Sequence, residues 1–363
     1  MLELLHRSSG CGSAFAALLL VSGCQSYRSE PLPAASDLSA APALTLPATC
    51  FQLPGLPPHP VDMTDGLDVT TAMTLAVADD PDLVAARAQA GVADAQVLEA
   101  GLLPDPKLSG GMSRSTMFTG YDAALSENLH ALVTRGAAKA AAQAARGQVN
   151  LQILWQEWQV AERAGELFIQ HGMDARLEAL LKPDRDLLER QARAESRAFQ
   201  REDATAAAAA LAAKMLADAD ENLRQIELDR NHADHELKAL LGLRPDARLK
   251  LRETRETPVP LSEEQFGRAL ANLPARRPDL RALQAGYESQ QQRLREAVLA
   301  QFPAIDAGLE KARDADEGVS SVGFTVNVTL PLFNRNRGQI AIERTTRAAL
   351  RKAYSARLDQ AVS

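Results

Sequence analysis

The chain has 363 residues and a formal net charge of -7, with 46% hydrophobic but only 4% aromatic residues. That is enough apolar material to bury a core, which excludes a wholly disordered chain, and the absence of any large basic domain leaves nucleic acid without an electrostatic footprint. Scarce aromatics beside abundant alanine favour interhelical seams over a compact globular core.

At the N-terminus, Arg7 stands in a short polar lead and Ala14 to Val21 form a brief apolar run. The run is too short to span a bilayer and suits a secretory signal. Val21, Ser22 and Gly23 then precede Cys24. Small residues before a cysteine resemble the bacterial lipoprotein lipobox. That resemblance implies a signal peptide over 1–23 and a lipid on Cys24, with no aspartate following it to imply inner-membrane retention. Cys11 leaves with the signal, so Cys50 has no partner for an internal disulfide. Residues 24–66 are rich in Pro, Ala and Ser, among them Pro31, Pro33, Pro54, Pro57, Pro58 and Pro60. Such a segment is an extended tether without its own core. No run of about 18 apolar residues follows, so no transmembrane helix is predicted.

The body contains an internal repeat, dividing it into 67–260 and 261–363. Asp80-Pro81-Asp82-Leu83 opens a helical stretch ending at Pro106, and Arg277-Pro278-Asp279-Leu280 opens another ending at Pro303. Both Pro-to-Pro spacings are 25 residues (106 − 81 and 303 − 278). Leu67-Asp68-Val69-Thr70 is echoed by Leu261-Ser262-Glu263-Glu264. The repeat predicts two copies of one helix-strand-strand-helix unit.

Period-two alternation marks the strands. Tyr121, Ala123 and Leu125 alternate with Asp122, Ala124 and Ser126. Ile305, Ala307 and Leu309 alternate with Asp306, Gly308 and Glu310. Phe324, Val326, Val328 and Leu330 alternate with Thr325, Asn327 and Thr329. Segments of about 9–11 residues are long enough to cross a bilayer when tilted. The fold class expected is therefore mainly α with membrane β-hairpins.

Between the hairpins, helix is expected from about Ala137, kinked or split at Pro183, and turning near Ala198 to Asp203. Leu151, Leu154, Trp158, Ala161, Gly165 and Phe168 mark its buried stripe. After the turn, Ala212, Leu216, Ala219, Leu223, Ile226, Ala233, Leu237 and Leu240 form a heptad seam with Arg230 as the one charged intruder. Asp203 is the expected N-cap of this second helix, and Gly242 and Pro245 its stop. Four membrane strands cannot close a barrel, because open edges in lipid leave backbone groups unpaired. The chain is expected to complete its sheet with copies of itself.

Several segments together resemble the TolC-like outer-membrane factor family over residues 67–363. They are Leu67 to Leu83, Ala100 to Pro106, Leu240-Leu241-Gly242-Leu243, Arg277-Pro278-Asp279-Leu280 and Leu330-Pro331-Leu332-Phe333-Asn334-Arg335-Asn336-Arg337-Gly338. The last resembles most the CzcC-type heavy-metal efflux branch. The resemblance implies a homotrimer with a 12-stranded β-barrel and a long periplasmic α-barrel. It also implies a lipid-anchored place in the outer membrane and partnership with a periplasmic adaptor and an inner-membrane RND-type pump. The role implied is export of small toxic solutes, without bond chemistry. Arg201 and Asp203 match the family's polar docking tip, where the usual glycine is missing. Asp306, Glu310, Thr325 and Asn327 fall on the strand face that would line the lumen, and Asn334 to Arg337 form a barrel-to-helix elbow.

No catalytic residue, cofactor site or metal site is expected. His232 and His235 lie one helical turn apart, but a solvated helix face accounts for them. Two other readings share some features: a periplasmic coiled-coil adaptor, and a structural lipoprotein of an envelope complex. The repeated strand pairs argue against an adaptor, which has a single hairpin and soluble β domains, and a structural coiled coil does not need the alternation from Phe324 to Leu330. Past the second hairpin only 26 residues (338–363) remain where the repeat calls for roughly a hundred, so repeat 2 is expected to be C-terminally truncated.

Overall fold

The computed structural model describes residues 27–41, 66–115, 118–252, 260, 262–314 and 318–363. The expected signal and Cys11, Cys24 and Cys50 lie outside these. Residues 27–38 belong to a unit of their own, with exposed side chains and neither helix nor strand. The rest of the description concerns the unit Ser39–Ser363.

Two short helices, α1 (Val69–Asp79) and α2 (Pro81–Gly101), lead into strands β1 (Lys107–Ser115) and β2 (Phe118–Asn128). A 72-residue helix, α3 (Leu129–Gln200), follows and packs along α4 (Ala206–Leu240). The second half repeats the order: α5 (Glu263–Ala271), α6 (Leu273–Arg276), α7 (Pro278–Leu299), β3 (Ala304–Asp314), β4 (Ser320–Thr329) and α8 (Arg337–Val362). Equivalent caps start the two halves. The Asp68 carboxylate accepts from Thr71 N–H at 2.7 Å, and Ser262 and Gln265 form a reciprocal capping box.

The core sits where α1 crosses the long hairpin. Leu67, Ala72, Leu75 and Ala76 pack on Ala164, Leu167 and Phe168 of α3 and on Ala233 and Leu237 of α4. Gly165 lets α1 approach, since a Cβ there would lie 3.3 Å from Met73 Sδ. Parallel bridges tie the chain beside it: Leu67 N–H donates to the Lys250 carbonyl at 2.8 Å, and Ser39 N–H to the Gly242 carbonyl at 3.0 Å.

Three local expectations need correction. Helix α3 starts at Leu129, eight residues before Ala137, because the Asn128 side chain caps it by accepting from Ala131 N–H. Of the kink or split expected at Pro183, the split does not occur: the proline lies inside one continuous helix. The lost hydrogen bond and the clash of the ring with the preceding turn together cost about 3 kcal/mol, and the seam on both sides of it still packs on α4. Trp158 is 46% exposed. In α8 the half-buried stripe runs through Ile340, Glu343, Arg347, Leu350, Tyr354, Arg357 and Leu358, with Ala341 and Ala348 exposed. This stripe meets α7 partly through polar bonds: Gln290 Nε2 donates to the Glu343 carbonyl at 3.1 Å, and Gln284 Nε2 to Tyr354 Oη at 3.0 Å.

The seam of α4 is as expected: Ala212, Ala233 and Leu237 are buried, and Leu216, Ala219, Leu223, Ile226, Arg230 and Leu240 half-buried. The intruder Arg230 reaches a buried carboxylate on α3, Glu178, which Lys182 also bonds. Farther along, Arg185 Nε bonds Asp220 across the seam at 2.7 Å. The hydrogen bond from Lys182 holds the Glu178 carboxyl below its ordinary value of 4.5; burial opposes this and the Arg230 charge adds to it. A lowered folded-state value contributes stability above the ordinary value, and that stability is lost as pH falls through the lowered one. The unfolding midpoint of the hairpin should therefore drop on acidification below that range. The Glu178→Gln protein should show a flatter dependence over the same range; an unchanged profile would count against the seam assignment.

Candidate functional site

The strands form one antiparallel sheet in the order β1-β2-β3-β4, which leaves β1 and β4 as edges. Its register aligns side chains into rows. Leu108, Leu125, Leu309 and Phe324 are mutual neighbours across all four strands, and the adjacent row holds Gly110, Ala123, Lys311 and Val322. Ile305 pairs with Val328, and Ala307 with Val326. Because side chains alternate along a strand, all these lie on one face. The face is uncovered: Leu108 is 79% exposed, Leu309 59% and Phe324 68%. An apolar patch of this breadth calls for a partner or a lipid phase.

The opposite face is polar and small. Asp306 is in register with Asn327 and Asn128, Gly308 with Thr325 and Ser126, and Glu310 with Gly323 and Ala124. The four residues assigned to a lumen, Asp306, Glu310, Thr325 and Asn327, thus share this one face. Its middle is tight: a Cβ on Gly308 would come within 2.8 Å of the Leu125 carbonyl oxygen and 3.1 Å of Thr325 Oγ1. On the edge strand, Gly323 has open space.

Where β4 gives way to α8, Arg335 and Asn336 both take left-handed backbone, with φ of 45° and 51°. Asn336 Nδ2 donates to the Ala297 carbonyl at 2.8 Å, tying the elbow to the last turn of α7. The residues expected at the elbow form this strand-to-helix bend, and the left-handed pair is what bends it.

At the far end of the long hairpin, Glu202 N–H donates to the Phe199 carbonyl and Asp203 N–H to the Ala198 carbonyl, at 3.0 and 2.9 Å. This Schellman turn puts Glu202 in the left-handed position, φ 64°, where glycine is usual. The cap of α4 is then Thr205, whose Oγ1 accepts from Ala208 N–H, and not Asp203. Arg201, Asp203 and Phe199 are all exposed at this tip. Glu202→Gly should stabilise the turn by roughly 1 kcal/mol, relieving both the left-handed strain and an anion at a helix C-terminus. A thermal shift of the variant in the destabilising direction would contradict this.

A cluster that sequence reading missed joins the halves. Asp279 is buried between Arg277 (2.9 Å) and Arg357 (2.7 Å), and both guanidinium groups lie over the Trp155 ring, at 4.9 and 5.7 Å from its centroid. The Arg277-Pro278-Asp279 signature was visible; its partners on α3 and α8 were not. His232 Nε2 sits 3.1 Å from Glu236, and His235 is exposed. Among the described residues no three His, Cys, Asp or Glu are placed to share a metal ion, and no helix is long and apolar enough to cross a membrane.

No family profile matches the chain, and no curated protein matches it in sequence. Solved structures do match its fold. A membrane protein from Pseudomonas aeruginosa aligns with a TM-score of 0.66 at 17% identity, over 87% of this chain and 80% of that one. CusC, in structures concerned with folding and transmembrane channel formation, aligns at 0.62 and 15% identity, over 93% and 81%. VceC, an outer membrane protein of Vibrio cholerae, aligns at 0.59 and 16% identity, over 81% and 76%. The chain carries the fold of these membrane proteins, a mainly helical body with a four-stranded sheet.

Proposed function

We propose that the chain is one protomer of an outer-membrane efflux channel. The observation that carries this reading is the sheet: apolar on one side, polar and small on the other, with edges on β1 and β4. In lipid both edges must be paired. Cyclic pairing of β4 with β1 of the next copy satisfies them, and a homotrimer gives a 12-stranded barrel. The polar face, with Asp306, Glu310, Thr325 and Asn327, then lines the lumen. The long helices build the periplasmic conduit. The likeness to CusC and VceC supports the same reading, as does the resemblance to the TolC-like family.

In this proposal residues 1–23 are removed, Cys24 carries lipid, 24–66 tether the body, and 67–260 and 261–363 are the two repeats. The exposed tip at Arg201 and Asp203 meets a periplasmic adaptor, and an inner-membrane pump drives export. The cargo is small toxic solutes, with heavy-metal cations the candidates drawn from the CzcC-type resemblance. The protein conducts and catalyses no bond chemistry.

Purified full-length protein should run as a heat-resistant trimer in detergent and give discrete conductance steps in planar bilayers. A monomer without conductance would favour the adaptor or structural-lipoprotein alternatives. The anchor is tested separately: Cys24→Ser should abolish labelling by a fatty-acid probe, and retained labelling would remove the anchor from the proposal.

A further inference from the structure

The apolar face of the sheet is not uniformly apolar. Lys311 and Arg313 on β3 and Arg114 on β1 fall on it, all near the hairpin tips. The register places Arg313 between Tyr121 and Ser320, with Met112 beyond Tyr121, and Lys311 between Ala123 and Val322; Arg114 pairs with Thr119 at the margin. All three cations are exposed, and none makes a hydrogen bond or ion pair to a described residue. The nearby acids Asp122 and Asp314 alternate onto the opposite face. The acid on the same face, Glu127, pairs with Ala307, two same-face steps from Lys311, or roughly 13 Å along the strand.

A cation on a lipid-facing strand costs about 2–4 kcal/mol at mid-bilayer and about 0–1 near the interface. Three of them at one end, beside a tyrosine, mark that end as the interface and leave an anion-binding surface directly above the Leu108–Leu125–Leu309–Phe324 row. Guanidinium forks fit phosphate oxygens, and the apolar row fits acyl chains. The ligand must therefore present phosphate and acyl chain together, which excludes free phosphate and nucleic acid. Arg114 and Arg313 stand two strand spacings apart across the sheet and one two-residue step apart along it, roughly 12 Å between backbones. One phosphodiester does not fill that span, whereas a headgroup with two phosphates does.

We propose that Arg114, Lys311 and Arg313 bind a bis-phosphorylated, acylated glycolipid of the outer leaflet. The inference rests on the channel reading, which puts the hairpin tips on the side away from the periplasmic helices. The test measures binding of the purified full chain to bis-phosphorylated lipid A, to its monophosphorylated form and to phosphatidylglycerol vesicles, with bilayer conductance recorded on the same preparations. The wild type should bind the bis-phosphorylated lipid at least tenfold more tightly than phosphatidylglycerol, with the monophosphorylated form between them. The triple variant Arg114→Gln, Lys311→Gln, Arg313→Gln should lose about tenfold in that binding yet still conduct. Arg313→Gln alone, the milder change should the triple variant not assemble, should lose several-fold. Equal affinity for phosphatidylglycerol, or unchanged binding by a variant that still conducts, overturns this inference and leaves the channel reading standing. A wild-type chain that neither inserts nor conducts overturns both.

Discussion

Phe324→Arg is expected to abolish membrane assembly, while Asn327→Arg is tolerated. Phe324 ends the one row that is apolar on all four strands, with Leu309 as its register partner. Phe324 lies one row inside the interfacial cations, so a charge there costs more than the about 0–1 kcal/mol of the interface, rising towards the about 2–4 kcal/mol of mid-bilayer, and a homotrimer repeats the cost in every copy. Asn327 is three residues away on the same strand but on the polar face, opposite Asp306, where an arginine gains a carboxylate neighbour. Thr325 is a poorer control, because it lies in register with Gly308 in the tight middle of this face, where even an added Cβ would come within 3.1 Å of its hydroxyl. The readout is the fraction of trimer in the outer-membrane fraction. Equal tolerance of the two arginines would mean that the apolar face does not meet lipid.

The second large effect is at Gly242→Val, which should destabilise the helical body by about 3 kcal/mol or more. Gly242 has φ 62°, and a Cβ there would sit 2.6 Å from the Asp79 carbonyl oxygen. Left-handed backbone alone costs a non-glycine residue roughly 1–2 kcal/mol, more for a β-branched one. The clash adds to this because the obstacle is backbone at the α1–α2 junction and cannot rotate away. Gly242 also closes α4, Leu243 N–H donating to the Lys238 carbonyl at 2.9 Å, and its own carbonyl accepts from Ser39. The change therefore disturbs three segments. Thermal unfolding of the variant within a degree or two of wild type would show that the junction can relax.

The parts of the fold legible in the sequence were those whose signal is local. The alternation around Leu309 and Phe324 and the three-four stepping from Ala212 to Leu240 each follow from the faces those residues bury. The equal spacing of Pro81–Pro106 and Pro278–Pro303 reflects the repeated helix-strand-strand-helix order. What escaped was either polar or long-range. The distal seam of α3 passes through Asp174, Glu178, Leu181 and Arg185, so hydrophobic periodicity fades where the packing continues. Trp155 and Trp158 offered equivalent signals three residues apart. Only the arrival of Arg277 and Arg357 from the second half distinguishes the one that is covered. At the tip, Asp203 and Thr205 are both good cap residues. The Schellman turn, which consumes the Asp203 N–H, decides for Thr205. At the elbow, left-handed Asn336 is an accepted exception among non-glycine residues, but a left-handed Arg335 beside it has no local cause.

The central claim is that the polar face of this sheet lines a water-filled conduit while the other face meets lipid. Cysteines placed one at a time at Phe324, Thr325, Val326, Asn327 and Val328, in a Cys50→Ser background, test it on conducting channels. A bulky charged thiol reagent added to the aqueous phase should lower the conductance of the Thr325→Cys and Asn327→Cys channels and leave the other three unmodified. Reaction at Phe324→Cys or Val326→Cys, or no block at Asn327→Cys, would contradict the account.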